Sequence, residues 1–319
     1  MKLNGVTLVK HRKRRKLKKK VKIVLAIIGV FVIAILWMTN VKKEQDTVTA
    51  DSESTKVEKG TKETEEKEVV KTTTKAGQTL FDEIAELDSN YLGNIGFVLL
   101  NKSSNEMIEV NADTVFTSAS LYKLYITYAI LTEVDKGNLS LDATISNQTT
   151  ATIDSYLRDT ITLSVNETAI ALADIIGWDV IEKFVQENGF SETTFNTTIE
   201  NGIAVRGTLQ TTPKNVTDLL NRLMEGTLLS ETSTDYFMGL LADQQLNYAL
   251  PTGLSEDIRF AHKTGILDSV SHDAGILTDS KGQEYVVVVM SDGWSYAYEE
   301  AKPVFTETGQ SIMNYLSEQ

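Results

Sequence analysis

The sequence predicts an α+β fold: one antiparallel sheet from both chain ends, flanked by helices, with a helical subdomain inserted between its halves and one transmembrane helix before it. Three observations predict it. Strand-like segments lie at 94–110 and again at 259–291, helical spacing fills 139–250 between them, and an uncharged apolar run sits near the N-terminus.

The elements follow in chain order. Val21–Thr39 is apolar apart from Lys22, and Ile23–Met38 holds no charged residue. About 18–20 helical residues cross a bilayer core. Trp37 stands at the far end, where an interfacial indole is favoured. The run KHRKRRKLKKK at 10–20 precedes it. The positive-inside rule then makes residues 1–20 a basic cytoplasmic tail, residues 21–39 a single membrane span, and the body extracellular. A cleaved signal peptide would end in a small-x-small site; here the chain continues Trp-Met-Thr-Asn-Val-Lys-Lys. A basic arm for nucleic acid is the third reading, and the adjoining apolar run speaks against it. Residues 40–76 are polar, charged and without aromatics, too poor in apolar surface to offset ordering entropy, and read as a disordered linker.

Residues 77–319 form the folded body. Leu80–Leu87 has helical spacing. Asn94–Asn101 and Glu106–Val110 read as a hairpin around Lys-Ser-Ser-Asn. A long apolar helix follows Ser120 and ends near Gly137. Helical patterns recur at 152–158, 167–176, 178–188, 213–225 and 230–247. Arg259–Lys263, His272–Thr278 and Tyr285–Ser291 have strand character, and 298–317 returns to helix.

Composition narrows the chemistry. The 319 residues carry 31 basic and 44 acidic side chains, a net charge of −13. Residues 1–22 hold 11 of the basic ones and no acid, so the rest balances 20 against 44. Such an acidic body opposes binding to a phosphate backbone, and no nucleic-acid partner is expected. The absence of cysteine excludes disulfides, thiolate metal sites and Cys nucleophiles. With only His11, His262 and His272, no histidine metal centre is expected, and no cofactor is implied. A Ser-His-Asp hydrolase needs a histidine base, but no G-x-S-x-G elbow is present, and His262 reads as a sheet or rim residue.

Three short patterns carry chemistry. Ser120-Leu121-Tyr122-Lys123 opens the long helix, where unpaired N–H groups and the positive dipole end favour developing negative charge. Lys123 projects from the face of Ser120, and a buried neutral amine can take the hydroxyl proton. Alone, S-x-x-K is also a Ser cap followed by a surface lysine. Lys263-Thr264-Gly265 ends a strand, where a cation and a hydroxyl can bind a carboxylate and glycine admits a ligand close to the backbone. Alone, it is a strand running into a turn. Ser164-Val165-Asn166 opens another helix; a hydroxyl there can relay a proton, or the pair can simply cap the helix.

In this order the three patterns resemble those of the penicillin-recognising serine enzymes, the class A β-lactamases and D-Ala-D-Ala peptidases. Ile95–Ser120 is similar to the family's opening hairpin, Gly207–Ser230 to its Thr-Thr-x-Pro-like helix start, and Lys263–Leu277 with EYVVVVMSDG to its closing strands. The resemblance implies that Ser120 is the acylated nucleophile and Lys123 its base. Ser164 would pass the proton to the leaving nitrogen, and Asn166 would orient Lys123 and the substrate amide. Lys263 and Thr264 would hold the substrate carboxylate beside Gly265. The N–H groups of Ser120 and Ile266 would form the oxyanion hole.

Two departures matter. Val165 stands where the family has Asp. Class A enzymes also carry an omega-loop Glu followed four residues later by Asn, which activates the deacylating water. The corresponding stretch here, FSETTFNTTIENGIAVRGTLQTTP, holds Glu192 and Glu200, neither followed by Asn at that spacing, and Glu200, with Asn201, is the candidate deacylation base. The similarity of the whole domain implies a serine hydrolase that is acylated by β-lactams and hydrolyses them, and the apolar run anchors it to the membrane. A D-Ala-D-Ala carboxypeptidase or transpeptidase acting on peptidoglycan stem peptides, and a non-catalytic peptidoglycan-binding relative, are the alternatives.

Overall fold

The computed structural model describes residues 73–145 and 150–319. The tail, span and most of the linker expected over 1–76 lie outside the described residues. Among the described residues, no helix is long and apolar enough to cross a membrane.

Helix α1, Lys75–Asn90, is capped by Thr74, whose side chain accepts from the Gly77 N–H, and buries Leu80, Ile84 and Leu87 on one face. Strands β1 (Asn94–Asn101) and β2 (Met107–Val110) form the expected hairpin, with Phe97 opposite Val110. β3 (Phe116–Thr117) leads through one 3₁₀ turn, Ala119–Leu121, into α2 (Tyr122–Asp135). Every residue of α2 from Tyr122 to Leu131 is buried, so this helix is the axis of the helical subdomain. Around it stand α3 (Ile153–Thr162), α4 (Asn166–Ile176) and α5 (Trp178–Glu187). A small hairpin of β4 (Thr198–Glu200) and β5 (Ile203–Val205) follows, and β6 (Gln210–Thr211) pairs with β3. Helix α6 (Pro213–Met224) starts on a Thr212 cap with proline in its first turn, and α7 (Glu231–Ala242) on a Ser230 cap.

The chain then returns to the sheet with β7 (Arg259–Leu267), β8 (Val270–Thr278) and β9 (Glu284–Asp292). It closes with the short α8 (Ala297–Glu300) and with α9 (Lys302–Ser317). The sheet order is β2-β1-β9-β8-β7, antiparallel throughout, so the last strand pairs with the first over eight positions. β9 shows why its sequence is an unbroken apolar run. Val286, Val288 and Met290 join the core shared with the helical subdomain, while Tyr285, Val287 and Val289 join the core under α1 and α9. A strand covered on both faces cannot alternate apolar with polar.

Two boundaries differ from the sequence reading, each for a physical reason. Helical spacing continues to 247, but α7 ends at Ala242. The Gln244 amide turns back to donate to the carbonyl oxygens of Ile161 and His262, and residues 244–249 become a strap beside β7. Lys263-Thr264-Gly265 lies inside β7, which runs on to Leu267, because Gly265 makes a close approach and not a turn.

Candidate active site

The site forms where α2, the α3–α4 connection and the edge strand β7 meet. Ser120 sits in the 3₁₀ turn, and Ala119 before it has φ of 43°, a left-handed conformation unusual for a residue with a side chain. The approach to this turn is fixed from the sheet. His272 on β8 donates from Nε2 to the Thr117 carbonyl at 2.7 Å, and its Nδ1 accepts from the Ser291 N–H at 3.1 Å. Burial pushes the His272 imidazole down to about 4, so it is neutral and its tautomer is set.

One turn later, Lys123 reaches back along α2 toward Ser120. Its Nζ lies 3.1 Å from Ser120 Oγ, 3.1 Å from Ser164 Oγ and 2.8 Å from Asn166 Oδ1, and it also donates to the Ser164 carbonyl. The side chain is buried, and burial pulls its pKa down to about 8 against the opposing field of Glu167. Ser164 has φ of 59° and does not cap α4; Val165 is the cap residue, without a side-chain bond. That turn instead aims the Ser164 hydroxyl at two amines. Lys263 Nζ reaches it at 2.8 Å and also donates to the Thr264 carbonyl at 2.7 Å. Burial first, and the Lys123 charge second, push the Lys263 ammonium well below the ordinary lysine range, with Asp273 opposing both.

Gly265 explains how β7 comes so close to the nucleophile. A Cβ there would lie 3.2 Å from the Ser120 nitrogen and 3.2 Å from Ala119 Cβ. β7 is the sheet edge, so no further strand pairs with its outer side, and Ile266 is the next residue along that edge. The Thr264 hydroxyl is buried and has no hydrogen-bond partner among the described residues, with the Tyr248 phenol near it.

Ser120, Lys123, Ser164, Asn166 and Lys263 are thus joined in one hydrogen-bonded set, with Thr264 and Gly265 beside it. Glu200 is not joined to it. It ends β4, exposed and opposite Ile203, and Asn201 (φ 52°) and Gly202 (φ 81°) form the two-residue hairpin turn after it. The Asn next to Glu200 therefore serves the turn. His262 is a buried sheet residue, stacked on Phe260 and away from Ser120. Among the described residues, no group of three or more His, Cys, Asp or Glu could hold a metal ion.

Sequence reading gave Glu167, His272 and Asp273 no part in the site. Glu167 has a local signal, a carboxylate immediately after Ser-x-Asn. The other two take their places only through strand register.

Chemically, the set offers a hydroxyl beside an amine that is partly neutral near pH 8, a second hydroxyl bridging that amine to another, and an unpaired hydroxyl next to a cation. Comparison with known proteins places the chain as a whole. A family described as the beta-lactamase enzyme family matches residues 79–316. Beta-lactamase VEB-1 of Pseudomonas aeruginosa is 25% identical over 256 residues, 69% of this chain and 85% of that protein. Among solved structures, PBP-A superposes with a TM-score of 0.67 at 22% identity, covering 75% of this chain and 96% of that one. A single-residue mutant of PBP-A, solved as an acyl-enzyme complex with penicillin G, gives 0.66 at 23%, covering 76% and 97%. A β-lactamase from Chitinophaga pinensis DSM 2588 gives 0.67 at 20%, covering 75% and 99%.

Proposed function

This chain belongs to the beta-lactamase enzyme family and is a serine hydrolase, and we propose that it works by acylation of Ser120 with β-lactam amides. The observation that carries the proposal is the 3.1 Å contact between Lys123 Nζ and Ser120 Oγ, in a pocket whose burial pulls the amine down to about 8. Neutral Lys123 takes the Ser120 proton, and Oγ bonds to the substrate carbonyl carbon. The oxyanion accepts from the N–H groups of Ser120 and Ile266. The carbon–nitrogen bond breaks, and Lys123 returns its proton to the leaving nitrogen through the Ser164 hydroxyl, which touches both amines. Asn166 accepts from Lys123 and holds it in line. Lys263 and the unpaired Thr264 hydroxyl take the substrate carboxylate. Water then cleaves the ester.

A specific observation favours the second reading, a penicillin-sensitive D,D-peptidase of cell-wall peptides. Among the described residues, no carboxylate is hydrogen-bonded to Ser120, Lys123 or Asn166, and Glu200 stands apart on its hairpin. Deacylation then relies on Lys123, neutral again once the leaving nitrogen is protonated, or on Glu167, whose charge reaches Lys123. Incubation with a chromogenic cephalosporin, followed by the intact mass, separates the readings. Turnover without a lasting adduct supports the β-lactamase, a lasting adduct on Ser120 supports the peptidase, and neither turnover nor adduct refutes both.

The basic tail and apolar run support a further proposal, that the enzyme is a single-pass membrane protein with its domain outside the cell. Because the chain has no cysteine, one cysteine introduced at 8 and another at 60, each alone, report sidedness to an impermeant maleimide. Labelling at 8 but not at 60 in intact cells overturns the topology.

A further inference from the structure

The acylation site lies at β7, one edge of the sheet; a separate cavity lies at β2, the other edge. It measures about 440 Å³, the size of a small-molecule pocket. Three walls enclose it, and each follows from local geometry. On α6, Lys214, Thr217, Asp218 and Asn221 recur at the i, i+3, i+4, i+7 spacing of one helix face, and all four line the cavity. On the β1–β2 hairpin, Val98 pairs with Glu109 and Leu100 with Met107, so these four share one face of the sheet. Val98 and Leu100 are buried and give the cavity an apolar floor. The third wall is the turn after α5, with Ser191 and Glu192. That turn is fixed to the start of α6, because the Glu192 N–H donates to Asn215 Oδ1 at 3.1 Å.

Thr217 is the first sign of a ligand. It is 3% exposed, and its hydroxyl has no hydrogen-bond partner among the described residues. A helical threonine can satisfy itself on the carbonyl four residues back, here that of Pro213, and this one does not. A buried hydroxyl left unpaired is costly, and this one belongs to a residue of the cavity wall. Charge is the second sign. The carboxylates of Glu109, Asp113, Glu192 and Asp218 line the cavity against one amine, that of Lys214. Lys214 is held by Asp113 at 3.0 Å, and Asp218 is met by Arg222 at 3.2 Å. The Glu192 carboxylate accepts from the Ser191 hydroxyl at 3.3 Å and has no ion-pair partner among the described residues.

These carboxylates do not converge on a point: among the described residues, no group of three or more His, Cys, Asp or Glu could hold a metal ion. Acids spread around an apolar floor fit an extended organic cation instead. We propose that this cavity binds a primary alkylammonium ligand. Its methylenes lie on Val98, Leu100 and Met107, and its ammonium, with three donors, is shared by the Glu192 carboxylate and the Thr217 hydroxyl. A free polyamine and the lysine side chain of a peptide both present this group.

The test is calorimetric titration of the full chain, kept in a non-ionic detergent, with pentylamine, its neutral counterpart pentanol, cadaverine and Nα-acetyl-lysine amide. Saturable binding of pentylamine, and not of pentanol, is expected. Thr217→Val removes the hydroxyl at nearly constant shape and should weaken the amine by about tenfold. Glu192→Gln removes a solvent-facing charge and should weaken it by about threefold, with a smaller loss of affinity on adding salt. Thermal unfolding of both variants should match the parent, since neither side chain bonds one element to another. Acylating Ser120 with a penicillin beforehand should leave the titration unchanged, because the two sites lie at opposite sheet edges. Cadaverine bound about tenfold tighter than the lysine amide assigns a free polyamine, and the reverse order a peptide lysine; both uphold the cavity. No saturable amine binding below about 10 mM overturns the proposal. So does unchanged affinity in either variant, or pentanol binding as well as pentylamine. Loss of binding on acylation would put the amine in the Ser120 site and overturn it as well.

Discussion

Replacing Lys123 by arginine separates positive charge from basicity at the nucleophile. The amine that contacts Ser120 Oγ at 3.1 Å is held at about 8 by burial, against 10.5 for a free lysine. At pH 7 about a tenth of such amines are neutral, against roughly 0.03% at the ordinary value, so burial makes the base about 300 times more available. Arginine keeps the cation and the donors but does not give up its proton near neutrality. Acylation at pH 7 should therefore fall by about 10²–10⁴, the usual contribution of a positioned base. The parent enzyme should gain about tenfold per pH unit below pH 8 and level off above it, since the base acts only when unprotonated. Lys123→Arg should lose that rise. Quenched-flow labelling with a fluorescent penicillin between about pH 6 and pH 9 measures both, and urea unfolding verifies that the larger head group is accommodated. A variant within a few-fold of the parent at pH 7, or a flat parent profile, would refute a lysine base.

Other outcomes come from the same geometry. Ser164→Ala removes the hydroxyl shared by both amines and should slow acylation by about 10²-fold, more for amide than for thioester substrates, which need less protonation of the leaving group. Gly265→Val puts a Cβ 3.2 Å from the Ser120 nitrogen and adds two methyls beyond it, so β7 must retreat. Acylation should fall by about 10²–10³, as when an oxyanion donor is displaced, while thermal unfolding shifts by only a few degrees. His272 is neutral and buried with a folded-state pKa of about 4, below its ordinary 6.5. Between those values the unfolded chain binds the extra proton, so this residue makes stability fall as pH drops from 6.5 toward 4, by up to about 3 kcal/mol. Urea midpoints across that window should show the slope, and His272→Asn, though less stable, should lose that part of it.

Much of this site was legible because its patterns are local. Ser-x-x-Lys, Ser-x-Asn and Lys-Thr-Gly each lie within one element or its first turn, and their order in the chain singled out one family. The sheet was legible from its ends, where β-branched runs flank a helical middle. Less visible was whatever depends on register. Asp273 and His262 are eleven residues apart and meet only because β7 and β8 pair with Thr264 opposite Asp273. Their sequence carries no spacing signal. Asn201-Gly202 did carry one, the preferred dipeptide of a two-residue hairpin turn, but its flanking strands are three residues each and hide the alternation. The end of α7 escaped for a different reason. Apolar spacing continues through Leu246, and the helix stops where the Gln244 side chain and the Gln245 N–H, which donates to the Thr162 carbonyl, turn to other elements.

The pairing of the last strand with the first has a consequence for how the enzyme comes into being. A chain made from its N-terminus completes the turn bearing Ser120 long before β7 delivers Lys263, and β1 waits for β9 through the whole helical insertion. Contacts so distant in sequence form late, because the loop must close before the pairing can stabilise it. The nascent protein thus carries its nucleophile and base before the strand that completes the carboxylate and oxyanion sites. Synthesis has to reach β7–β9 before the second lysine and the glycine beside Ser120 are in place.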